Sequence, residues 1–210
     1  MSQETPRFVA PIMENVVRLA DDAALLRDAD RHASAFVLAV IHLEEIGKLI
    51  IRMWRHIGLG LPARAQRDHV SKQSAVFSLV LAADLKDKII NQLHGQAIDD
   101  AVIAQMAEQA ASANAGIHLV AAQRRLMQQA KHAGLYVDDE ADGGDEDTSG
   151  GRTFTVAQVD ELLRQGMAAL PAVSDPKALI IARAVHKVSR SVLSSRGEGE
   201  AAGCRDIPDD

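Results

Sequence analysis

The residues best equipped for chemistry are Glu44, Glu45 and Lys48, set in FVLAVIHLEEIGKLIIRMW, and His69 and Lys72, set in RAQRDHVSK. An imidazole offers proton transfer, and an ammonium or carboxylate offers charge stabilisation or orientation. The first group interrupts an apolar helix. On a wheel of about 100° per residue, Val40, Gly47, Ile50 and Trp54 fall within about 60° of Leu43. Leu38, Ile41 and Leu49 fall on the opposite side, together with Glu45, Lys48 and Arg52. A helix apolar on both sides is central in its domain or packed on a second subunit, and charges there need partners. Two arrangements are open. Glu44 and Lys48 form an i,i+4 pair, or the charges line an internal or dimeric polar cleft. His69 and Lys72 share a face that Val76, Leu79 and Val80 continue into a core. They face either a polar cleft or the solvated end of a bundle. Tyr136, the only tyrosine, and Asp138 lie in GLYVDD. The tyrosine packs its ring where a helix closes, or the two residues cap the same cleft as Glu45 and His69.

The elements that position these groups are helices. Of the 210 residues only 3% are aromatic, alanine and the aliphatic residues are plentiful, and proline is scarce within the apolar stretches. Helices are expected from about Ile12 to Asp28, from near Ala33 to just before GLGLP, and from about Ala65 to Leu93. A fourth starts after Asp99 and Asp100 and continues, with a break near Asn114, to His132. Thr155 or Val156 opens a short helix ending at Pro171, and Ser174 or Asp175 caps a last helix beginning PKALIIARAVHKVSRSVL. The segment DDEADGGDEDTSGG is acidic, rich in glycine and without apolar anchors, so it reads as a flexible loop. The expected domain comprises residues 1–137 and 152–195, separated by the acidic loop 138–151 and followed by a disordered tail 196–210.

Composition also excludes. A net charge of −6 argues against bulk electrostatic binding of nucleic acid, and no DNA partner is expected. Cys204 is the single cysteine, which rules out an internal disulfide and fits a reducing cytoplasm. The N-terminus does not read as a signal peptide, and no stretch reads as a membrane span. H-E-x-x-H, Glu-x-x-His, cysteine clusters, a P-loop and dinucleotide-binding glycines are all absent, so no metal and no cofactor is expected.

Three separated motifs, HLEEIGKLI (His42 to Ile50), DHVSK (Asp68 to Lys72) and KHAGLYVDD (Lys131 to Asp139), carry a resemblance. With the lead-in DAALLRDADRHASAF, their order and spacing resemble the AbiV family of abortive-infection proteins, within the HEPN superfamily, over roughly residues 15 to 140. The resemblance implies an all-α, HEPN-like bundle of four to five main helices with short extra helices, which dimerises and stops phage propagation inside the cell. Many HEPN proteins are metal-independent ribonucleases carrying an arginine and a histidine with about four to six residues between them. The histidine moves protons between the ribose 2′-OH and the leaving oxygen, and the arginine stabilises the phosphorane. Arg27/His32, Arg64/His69 and Arg125/His132 have that spacing. Arg64/His69 is preferred because His69 also belongs to DHVSK. On this reading His69, Arg64, Lys72, Glu45 and Lys48 are catalytic, and Glu44, Tyr136 and Asp138 bind substrate.

Two functions follow from different classes. One is a phage-defence effector that impairs translation by cleaving or binding RNA. The other is a non-enzymatic helical protein that binds a phage or host protein through its cleft or dimer face. A homodimer is expected on both, because the second helix carries apolar residues on too many sides for one small bundle to cover.

Overall fold

The apolar character of the second helix is explained by its position. The computed structural model describes residues 5–61, 67–93, 99–113 and 154–202, with side chains to residue 191. Among these residues there are six α-helices and no strand: α1 (Val9–Asp28), α2 (His32–His56), α3 (His69–Gln92), α4 (Asp100–Ala113), α5 (Val156–Ala169) and α6 (Pro176–Ala202). Helix α2 packs against α1, α3, α5 and α6. Leu43, Ile46, Leu49, Ile50, Ile51 and Trp54 are fully buried, each worth about 1.5–3 kcal/mol relative to exposure. Between its exposed ends, Leu38, Ile41, Glu45, Lys48 and Arg52 form one stripe of α2 that reaches part-way to solvent, with Met53 half-buried beside it. The protein's own helices therefore cover both apolar sides, and α2 provides no reason for a second subunit.

Local sequence sets the helix ends. After α1, Arg31 N–H bonds to Leu26 O and Asp30 N–H to Arg27 O, a Schellman closure with Asp30 in the left-handed region at φ 57°. Aspartate tolerates that conformation better than bulkier residues. Helix α2 closes in the same way at the expected breaker, with Leu59 N–H on Trp54 O, Gly58 N–H on Arg55 O and Gly58 at φ 79°. Helix α3 starts at His69, later than the expected Ala65, because the Asp68 side chain accepts from the amides of Val70 and Ser71. Thr155 and Gln158 form a reciprocal capping box at the head of α5. A 3-10 turn, Leu170–Ser174, holds Pro171 and leads to Asp175, which accepts from the amides of Lys177 and Ala178 at the start of α6. Helix α6 continues to Ala202, beyond the expected end near residue 195, with no proline to stop it although Gly197 and Gly199 are poor helix formers.

The core is knitted by a few polar contacts. Trp54 Nε1 donates to Leu179 O at 2.8 Å, which makes Trp54 a core residue rather than an interface one. His42 is fully buried, with Nδ1 2.9 Å from Val16 O of α1. Phe154, ahead of α5, stacks on Phe36 with centroids 4.6 Å apart. The expected acidic loop 138–151 and the continuation of the fourth helix to His132 lie outside the described residues. No helix is long and apolar enough to cross a membrane among the residues described.

Candidate functional site

Glu44 and His69, 25 residues apart in the chain, meet where the middle of α2 packs on the first turn of α3. Their approach starts from Gly47. A Cβ on Gly47 would stand 2.1 Å from Lys72 O and 2.8 Å from Lys72 Cα, so only glycine lets α3 lie this close. With the two backbones in contact, Glu44, one turn before Gly47, reaches the head of α3. His69 Nδ1 donates to Glu44 Oε2 at 2.6 Å, and Gln73 Nε2 donates to Glu44 Oε1 at 3.0 Å. The carboxylate is 5% exposed and the imidazole 53% exposed. Charge-assisted bonds to both oxygens compensate the desolvated carboxylate.

The chemistry available is that of an oriented imidazole. With Nδ1 held by the carboxylate, the ring presents Nε2 outward, and one proton can enter or leave there while the tautomer stays fixed. Asp68 caps α3 immediately before His69 and also bonds the Ser71 hydroxyl, which fixes where the imidazole projects. Lys72, one turn further along α3, is half-buried, and no hydrogen bond or ion pair holds its ammonium among the described residues.

The structure brings some of the expected site together and separates the rest. The anticipated Glu44–Lys48 pair is not formed. Lys48 Nζ bonds both oxygens of Glu45, at 2.9 and 3.2 Å, on the half-exposed stripe of α2. The cause is rotation: a residue's step of about 100° turns Glu45 out while Glu44 turns inward to α3. No bond joins Glu45 or Lys48 to His69 among the described residues. Arg64, Tyr136 and Asp138 lie outside the described residues, as do Arg125 and His132. Arg27 bonds Asp28 and Asp160, and His32 stands 3.6 Å from Asp30. Gln73 was not foreseen. Its spacing of four residues after His69 places it on the same face of α3, and that was the signal available.

Beyond α3 the polar contacts continue inward. Ser74 and Ser189 of α6 are fully buried with their hydroxyls 3.2 Å apart, and Ser189 also donates to His186 O. This seam joins α3 to α6 behind the dyad.

The family described as AbiV matches residues 4–149, most of the chain's length. The chain belongs to the AbiV family. It is thereby a member of the HEPN superfamily, whose helical-bundle architecture the six described helices share. No curated protein and no solved structure matches the chain. Both halves of the dyad lie inside the AbiV match, as do Gly47 and Lys72, whereas α5 and α6 lie outside it. Membership of AbiV points to abortive-infection defence.

Proposed function

We propose that this AbiV protein is a cytoplasmic effector that blocks phage propagation by impairing translation through cleavage of RNA. The observation that carries the reading is a half-exposed His69 held by a buried Glu44. In this mechanism His69 Nε2 removes the proton from a ribose 2′-OH, the 2′-oxygen attacks the adjacent phosphorus, and the P–O5′ bond breaks as the resulting imidazolium returns that proton to the 5′-oxygen. Glu44 fixes the ring and stabilises the imidazolium that forms after the first transfer. The ammonium of Lys72 lies one helical turn away to offset charge on the phosphorane, with Arg64 as a second cation on the segment leading into α3. No metal enters the scheme. Dimerisation, usual among HEPN domains, belongs to the same reading.

The test is to express wild type, His69→Ala and Glu44→Gln in a phage-susceptible host and follow RNA integrity through infection. Discrete fragments in wild type alone, bearing 2′,3′-cyclic phosphate and 5′-hydroxyl ends, are the expected result. Protection with intact RNA would overturn cleavage and leave the binding protein as the mechanism. Undiminished cleavage by folded His69→Ala would remove His69 from the site.

A further inference from the structure

A cavity opens beyond the C-terminal end of α2, away from the Glu44–His69 dyad. Trp54 and Glu44 are ten residues apart on that helix, about 15 Å along its axis. Where the chain leaves α2 at Leu59 and Gly60, it faces Glu108 of α4 and Ile180, Arg183 and Lys187 of α6 around a cavity of about 320 Å³. The size is at the lower end for small-molecule pockets, roughly 300–1,000 Å³.

Its charges are arranged unusually. Arg183 is half-buried, with its guanidinium 6.0 Å from the centroid of the Trp54 ring. Its partners are two backbone carbonyls, Leu59 O at 3.3 Å and Gly60 O at 3.5 Å, and no carboxylate pairs with it among the described residues. Burial lowers the Arg183 pKa from its ordinary value, nearby Arg190 lowers it further, and Glu108 opposes both. An arginine keeps its charge regardless, so the guanidinium is a cation in want of an oxyanion. One turn along α6, Lys187 holds both oxygens of Glu108, at 2.8 and 3.1 Å. The cavity thus has cations, a carboxylate and carbonyl acceptors on its polar parts, and Leu59 and Ile180 on its apolar wall.

We propose that this cavity binds a free apolar α-amino acid, with its carboxylate on Arg183 and Lys187 and its ammonium on Glu108 and the Leu59 and Gly60 carbonyls. A zwitterion is the small ligand that uses both signs of charge at once. An inorganic phosphate would leave the apolar wall empty and meet Glu108 with like charge. In the free protein Lys187 serves Glu108 and Arg183 serves the two carbonyls, so a simple carboxylic acid that drew both cations onto itself would supply no donor to replace them. The side chain of leucine, isoleucine, methionine or phenylalanine fills the space against Leu59 and Ile180. Binding here is independent of the Glu44–His69 dyad.

Titration calorimetry on the full chain with leucine, isoleucine, methionine and phenylalanine tests this, with leucinamide, N-acetyl-leucine and inorganic phosphate as comparisons. The expected result is saturable binding of at least one of the four amino acids. Binding at least tenfold weaker is expected for leucinamide and N-acetyl-leucine, which each lack one charge. Arg183→Gln and Glu108→Gln each weaken amino-acid binding at least tenfold, and Arg183→Lys, which keeps the charge but loses the fork, weakens it less than Arg183→Gln. Circular dichroism confirms that each variant is folded. His69→Ala leaves the affinity unchanged, which separates this site from the proposed RNA chemistry. No binding of any of the four, equal binding of leucinamide, or phosphate binding in place of leucine overturns the proposal.

Discussion

Gly47 of α2 lies directly beneath Lys72 of α3, so close that a Cβ would stand 2.1 Å from the Lys72 carbonyl oxygen. This contact between glycine and backbone sets the separation at which Glu44 meets His69. Alanine is the better helix former by about 1 kcal/mol, but the collision is with backbone, which cannot swing aside as a side chain can. Gly47→Ala is expected to destabilise the protein by about 2 kcal/mol or more and to lower its Tm by several degrees. Thermal and urea denaturation measure this, and a neutral or stabilising effect would show that the helices stand farther apart.

The bonds that Glu44 accepts from His69 and Gln73 allow its structural and chemical roles to be separated. Glu44→Gln keeps the shape and is expected to cost about 1 kcal/mol or less while reducing protection against phage at least tenfold. Glu44→Ala leaves the buried Gln73 amide without its acceptor and costs about 1–3 kcal/mol more. Urea midpoints beside plaque counts give the comparison. Full protection by Glu44→Gln would mean that His69 needs no carboxylate.

His42 makes stability depend on pH. Burial drives its pKa below the ordinary 6.5, against the opposing bond to Val16 O. The unfolded state then binds the proton more readily. This contribution is complete above pH 6.5, falls as pH drops from there to the folded-state pKa, and is flat below it. His42→Gln, which keeps a donor for Val16 O, is expected to remove that part of the slope. Denaturation of both proteins between pH 7.5 and pH 5 checks it; parallel curves would exclude His42 as the source.

Asp175 acts in a more acidic window. Burial raises its pKa, but bonds from Lys86 and from the amides of Ala178 and Lys177 outweigh this and bring it below the ordinary 3.8. The stabilisation is present above pH 3.8 and is lost as pH falls through the lower folded-state value. Asp175→Ala is expected to cost about 1 kcal/mol at neutral pH through loss of the cap. Asp175→Asn keeps the cap and costs less. Equal stability of all three proteins at pH 7 would show that α6 starts without this cap.

Sequence pattern located the helices closely because their ends carry their own chemistry: Gly58 closes α2, Thr155 and Gln158 open α5, and Asp175 opens α6. It also selected Glu44, His69 and Lys72 as candidates. What it could not assign was the side of α2 on which α3 packs. A helix apolar all round offers two faces of similar hydropathy, so Glu45 and Lys48 looked as well placed as Glu44. The decision comes from Gly47, whose missing side chain admits α3 on one face only. Pattern reports periodicity along one helix; the pairing of faces is a tertiary property.

The contacts made by α5 and α6 separate the unit of recognition from the unit of cooperativity. The AbiV signature ends at residue 149, yet Trp54 bonds Leu179, His42 lies against Gly166, and Ser74 meets Ser189. A protein cut at residue 149 would keep every motif by which its kinship is recognised and lose the wall against which those motifs are packed. Inheritance is legible in the first two thirds of the chain, but the native state is a property that the last third shares equally.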